Sequence, residues 1–165
     1  MLFLIFEVGR DRYALDVREV AEVLPLVGIK HVPQAPPAVA GILNYRGAPV
    51  PVIDVSQLAI GQPAARRLST RIVLVHYVTS ADDRSTALGA GAEGRTQLLG
   101  LIAERATQTM RRDESDFIPP GVFSEGASYL GPVAADADGF VQRVDVQALL
   151  PASVRELLFK QTTAR

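Results

Sequence analysis

Short apolar runs broken by Gly, Pro, Asp and Asn recur along the whole chain, a pattern that predicts many short strands and few helices. Leu2 to Val8 and Arg12 to Leu15 read as a strand pair turned at Gly9-Arg10-Asp11. Asp16 with Glu19 three residues on has the spacing of a helix cap, which predicts a short helix over Val17 to Val23. Pro25, Pro33, Pro36 and Pro37 forbid a long helix after it and fit extended chain around Val27 to Val32.

The clearest local signal lies between Gly41 and Val55. Ile42 and Leu43 lead into Asn44-Tyr45-Arg46-Gly47, and Val50 to Val55 lead out, so a strand, a tight turn and a second strand are legible. Asp54 is placed to cap a brief helix over Val55 to Ile60, ended by Gly61. Ile72 to Val78 and Leu98 to Ala103 read as further strands. Tyr129 to Ala135 and Phe140 to Val144 read as a hairpin across Asp138-Gly139. Ser153 with Glu156 forms a capping box for a last helix over about 153–161, with Val154, Leu157 and Leu158 on one face. Val52-Ile53-Asp54-Val55 running to Leu58 is echoed by Arg143-Val144-Asp145-Val146 running to Leu149, as two modules of similar build would produce. The breaks suggest a first module over about 1–62 and a second over about 70–150, in an all-β chain of small closed modules with short helices.

Charge and composition remove several functions. The 165 residues carry 17 basic and 18 acidic side chains, mixed along the chain for a net charge of -1, so no basic field exists to hold nucleic acid or anionic lipid. The absence of cysteine removes disulfides, thiolate zinc sites and thiol nucleophiles together. Met1 to Phe6 is apolar but reaches Glu7 at once, too short for a span and without the basic start of a signal peptide; a cytoplasmic first strand is expected.

Candidate chemistry is sparse. Gly89-Ala90-Gly91-Ala92-Glu93-Gly94 spells a dinucleotide fingerprint, but no strand runs into it and no helix opens from it, so Thr79 to Gln97 is read as a mobile linker. Asp136 and Asp138 precede Gly139 without the remaining ligands of a calcium loop. His31 is expected partly exposed and His76 packed within a strand, rather than paired on a metal. No nucleophile elbow, phosphate loop or zinc helix occurs, so an enzyme is not expected, and neither is a metal or cofactor.

Asn44-Tyr45-Arg46-Gly47 followed by Val50-Pro51-Val52-Ile53-Asp54 resembles the signature of the CheW family of chemosensory coupling proteins. The likeness extends from Phe3 to Leu58, through Leu99-Gly100-Leu101-Ile102, to Tyr129-Leu130-Gly131 and Val144 to Leu150. It implies two SH3-like five-stranded barrels packed on a shared apolar interface. It also implies a non-catalytic adaptor whose partners are the regulatory domain of a CheA-type histidine kinase and the helical cytoplasmic tip of a chemoreceptor. Carried over by residue, receptor binding falls to Val20, Glu22, Gly41, Asn44 and Arg46, and kinase binding to Ile29, Ala48 and Pro49.

Arg46, at a glycine-flanked turn, is placed to pair with Glu22 on the expected Val17 to Val23 helix. Pro49 and Pro51, two apart, withhold N–H groups from one side of their strand, which should be an edge. Two segments depart from the family pattern: Glu104 to Met110, and Phe140-Val141-Gln142-Arg143, both more polar than usual. Such departures fit service in a chemosensory pathway other than flagellar chemotaxis. The competing reading is a generic SH3-like or OB-like module binding peptide or single-stranded nucleic acid. Four Tyr, six Phe and no Trp, with no basic stripe, supply little stacking platform for it.

Overall fold

The computed structural model describes residues 1–79, 96–137 and 139–159. Among the described residues, eleven strands run in the order β1 Leu2–Val8, β2 Asp11–Asp16, β3 Val20–Pro25, β4 Ile29–Lys30, β5 Val39–Tyr45, β6 Ala48–Asp54, β7 Arg71–Val78, β8 Thr96–Arg111, β9 Phe117–Ile118, β10 Leu130–Asp136 and β11 Gly139–Val144. Two α-helices join them, α1 Val55–Ile60 and α2 Ala152–Phe159. The glycine-rich fingerprint lies outside the described residues; Thr96 and Gln97, expected in the linker, already belong to β8.

The long strand β8 is shared by two sheets. Its first half pairs with β7 and with β6; its second half pairs with β1. One sheet runs β3-β7-β8-β6-β5-β4 and the other β8-β1-β2-β11-β10-β9. The two paths match strand for strand, including one parallel pair at the same place in each, β6 with β8 and β2 with β11. A register shift also marks the first pairing after each crossover, between Val20 and Glu22 on β3 and beside Arg105 on β8. The echo read in the sequence thus corresponds to equivalent elements: β6 ends on Asp54 and β11 is followed directly by Asp145, Asp54 accepting from Gln57 N at 3.2 Å and Asp145 from Gln147 N at 3.0 Å.

The sheets do not divide at residues 62–70. β7 and the first half of β8 complete the sheet of β3 to β6, while β1 and β2 complete the sheet of β9 to β11. Each half of the chain therefore lends two strands to the other's sheet.

This exchange explains why so many strands are continuously apolar. On β7, Ile72 and Leu74 face the interior of the first sheet with Leu43, Val50 and Val52, while Val73, Val75 and Tyr77 face the opposite way. On β1, Phe3 and Ile5 face the second sheet's interior with Ala14, Ala134 and Val141, while Leu4 and Phe6 meet Val73, Val75 and Leu99 between the sheets. A strand buried on both faces needs no polar alternation. The largest apolar cluster is the one between the sheets, the shared interface the family resemblance implied. α2 covers part of it: Val154 is buried and the Phe159 ring stacks on Tyr77 with centroids 5.2 Å apart.

Three local expectations change. Asp16 caps only a single 3-10 turn, Val17–Glu19, and the predicted helix gives way to β3, whose alternating burial and pairing with β7 override the local helical signal. His76 is exposed, because β7 alternates and Val75 and Tyr77 take the inward positions. Leu157 is exposed although it was placed on the packed face of the last helix, which starts at Ala152 with Val154 N and Arg155 N bonded to Pro151 O.

Candidate functional site

Tyr45 and Ala48 pair across the two central residues of the β5–β6 turn, Arg46 and Gly47, which have φ of 53° and 87°. Two successive positive φ values match the right-handed twist of the strands and suit Asn or Gly at the first position. A side chain as large as Arg in the left-handed region there is strained by about 1 kcal/mol. Asn44 steadies the turn by accepting from Gly47 N at 2.9 Å.

Glu22 reaches this turn from β3, near the opposite end of the sheet's path. The Tyr45 hydroxyl donates to Glu22 Oε2, and Arg46 Nη2 lies 3.8 Å from the same oxygen. The Arg46 guanidinium also sits over the Tyr45 ring, 5.0 Å from its centroid. Contact between β3 and β5 across the ends of the path means that the sheet is curled into a small barrel. Arg46 is 79% exposed and Glu22 37%, so the ion pair is a surface one. Burial has little hold on this cluster, yet the Tyr45 hydroxyl is pushed above its ordinary pKa, first by its bond to Glu22. It therefore remains protonated, and a donor, at neutral pH.

The other expected site residues sort by face. Val20 is half-buried at the start of β3. Gly41 is buried, with φ of 147°; a Cβ there would stand 2.1 Å from Lys30 O, so the β4–β5 approach requires glycine. Ile29 pairs with Leu43 on the inner face and packs against the barrel interior, whereas Pro49 pairs with Asn44 on the outer face. Ala48 and Pro49 are exposed, so Ile29 and Pro49 do not form one patch. The proline reading holds for half the strand: β6 bonds β8 only over Val52–Asp54, leaving Ala48–Pro51 unpaired on that side.

Tyr45 was missed as a site residue. It occupies the unspecified position of the turn motif, and its role depends on Glu22, 23 residues away, which no local pattern reveals. An aromatic side chain beside an Arg in a tight turn is the signal that was available.

The polar departures find internal uses. Gln142 Nε2 donates to Gly131 O at 2.9 Å, and the Arg143 guanidinium lies over the adjoining Phe3 and Phe117 rings, 5.2 and 5.6 Å from their centroids and 3.8 Å from Asp16. At the β8 crossover, Arg105 takes φ of 52° and its Nε lies 3.1 Å from Glu7. Among the described residues there is no cluster of metal-ligating side chains, and no helix is long and apolar enough to cross a membrane.

Comparison with known proteins agrees with this architecture. Residues 2–154 match the family model described as CheW-like domain. The chain is 22% identical over 156 residues to the chemotaxis protein CheW of Klebsiella aerogenes, covering 94% of this chain and 85% of that one. It is 24% identical to the Helicobacter pylori protein of the same name, over 90% and 80%. The crystal structure of the scaffolding protein TtCheW from Thermoanaerobacter tengcongensis superposes with a TM-score of 0.73 at 24% identity, over 93% of this chain and 89% of that one. With a match that spans both sheets and the Arg46 turn, the chain belongs to the CheW-like domain family.

Proposed function

We propose that this chain is a non-catalytic cytoplasmic adaptor that couples the tip of a chemoreceptor to a CheA-type histidine kinase. The observation that supports it most is Arg46: an arginine held in a left-handed turn, 79% exposed, in an ion pair open enough to add little to the stability of the fold. Strain kept at an exposed charge is better explained by a partner than by folding. In this reading Arg46, Glu22 and Asn44 meet the receptor, Val20 borders them, and Gly41 acts by letting β4 approach β5. Ala48 and Pro49, on the unpaired half of β6, meet the kinase's regulatory domain, with Ile29 supporting them from the inner face.

The test is Arg46→Ala. The variant is expected to fold, with a Tm close to that of the parent, and to fail to assemble receptor–kinase complexes or to activate the kinase. Normal assembly and activation by folded Arg46→Ala would overturn the assignment. Charge substitution at Ala48 or Pro49 should weaken capture of the kinase's regulatory domain without loss of fold. Ile29 is a poorer probe, because a charge there would enter the barrel interior.

A further inference from the structure

We propose that Tyr45 is a positioning residue that engages Glu22 and thereby leaves the Arg46 guanidinium free for a carboxylate on the partner, an inference that rests on the receptor-facing role of Arg46 proposed above. Glu22 is the obvious internal competitor for Arg46. An unengaged carboxylate on β3 would draw the guanidinium into a bidentate pair, the geometry that suits both groups best. That pair has not formed: Arg46 Nη2 stays 3.8 Å from Glu22 Oε2, beyond hydrogen-bond reach, while the Tyr45 hydroxyl donates to that same oxygen. The Tyr45 ring meanwhile lies under the guanidinium at 5.0 Å and limits its rotation.

The consequence is an oriented cation with unspent donors. Arg46 has five N–H groups, and none bonds a described residue. The group that fits such a fork is planar and anionic, so the partner surface should present an Asp or Glu side chain to it. Tyr45 performs two separable tasks, the hydroxyl on Glu22 and the ring beneath Arg46.

Those tasks are separated by Tyr45→Phe, which keeps the ring, and Tyr45→Leu, which removes both. The probe is the cytoplasmic signalling fragment of a chemoreceptor from the same genome, with Arg46→Ala as control and Tm measured for every variant. Arg46→Ala is expected to lose binding. Tyr45→Phe should bind about fivefold more weakly than the parent with unchanged Tm, and Tyr45→Leu about fivefold more weakly again, with a small fall in Tm because the ring also packs against the barrel interior and with the protein still fully folded at the assay temperature. In parallel, carbon NMR of the tyrosine ring should show the Tyr45 titration midpoint falling in Glu22→Gln, since Glu22 is the first cause that raises it. Parental affinity in both Tyr45 variants, with Arg46→Ala inactive, would overturn the positioning role and leave the receptor reading standing. Full binding by Arg46→Ala would overturn both. A Tyr45 midpoint unmoved by Glu22→Gln, or affinity lost only in step with Tm, would also overturn the positioning role.

Discussion

The β5–β6 and β10–β11 hairpins occupy equivalent places in two matched sheets, and they treat their charges in opposite ways. At the β10–β11 turn, Asp136 is 10% exposed and forms ion pairs with Arg12, itself 25% exposed, and with Arg112 at 3.9 Å. At the β5–β6 turn, Arg46 is 79% exposed and its carboxylate partner is already engaged by Tyr45. Each cluster clasps its sheet, linking the terminal strand of the path to the hairpin. One clasp is consumed by the fold, and the other is left facing solvent. The same scaffold thus supports a closed end and an open end, the second being the one proposed above for recognition, and the two differ in which side chains satisfy one another.

The largest effect is expected at Gly41, which makes the recognition hairpin possible without touching a partner through a side chain. Gly41→Ala combines an unfavourable φ with a clash against the Lys30 carbonyl, and should cost about 3 to 5 kcal/mol. Thermal unfolding followed by circular dichroism checks this. A stable Gly41→Ala that has lost only receptor binding would instead make Gly41 a contact residue.

Next comes Asp136→Ala, which should cost about 1 to 3 kcal/mol, between the limits for exposed and buried pairs, because it leaves Arg12 and Arg112 facing each other in a half-buried site. Glu22→Gln, at the equivalent clasp, should cost no more than about 1 kcal/mol. Denaturant titration of the two variants side by side measures the contrast directly. Equal losses would erase the distinction between the two ends.

These magnitudes also separate what was legible in the sequence from what was not. The β5–β6 hairpin, the Asp54 cap and the candidate Arg46 were readable because each depends on neighbours in the chain: turn residues, a capping side chain, two apolar runs flanking the turn. The helix expected after Asp16 failed because β3 is decided by β7, about fifty residues later, and not by its own cap. The strand exchange was not legible for a related reason. The sequence echo between Asp54 and Asp145 corresponds to equivalent elements of two matched sheets, but the exchange of strand pairs between the sheets leaves no mark in local composition. Tyr45 escaped notice because its hydroxyl finds Glu22 only once the barrel has curled.

The crossover between the sheets provides a pH-dependent contrast. Asp16 is held below the ordinary carboxylate range, chiefly by the Arg18 side chain and against the effect of burial. Glu19, three residues on, is pushed above its ordinary value by burial and then by Asp145 and Asp16. The depressed Asp16 contributes stability above its unfolded pKa of about 3.9, lost as pH falls through the lower folded value. The raised Glu19 has the opposite sign: its contribution is complete below about pH 4.3 and is lost as pH rises through its folded value. Glu19→Gln should therefore raise Tm at pH 7, with the gain vanishing towards pH 4. Asp16→Asn should lower Tm at pH 7. A Glu19→Gln gain that persists unchanged at pH 4 would show that burial of the side chain, and not its charge, sets the effect.

The smallest stability change is expected where the functional change is greatest, in Arg46→Asn. Asparagine tolerates the left-handed region and is favoured at the first central position of this turn, so relief of strain should return about 1 kcal/mol. Against this, the stack on Tyr45 and the open pair with Glu22 each remove about 0.5 kcal/mol. The two sides nearly cancel, so Arg46→Asn should match the parent's stability within about 0.5 kcal/mol, while Arg46→Ala, which loses the contacts without the relief, should fall about 0.5 to 1 kcal/mol below it. Both should fail to assemble the receptor–kinase complex. The order of stabilities tests the strain at φ of 53°, and the assembly measurement tests why that strain is retained. An Arg46→Asn variant that assembles normally would reduce Arg46 to a turn residue and make the two hairpins alike. One less stable than Arg46→Ala would show that the left-handed backbone is not where the strain lies.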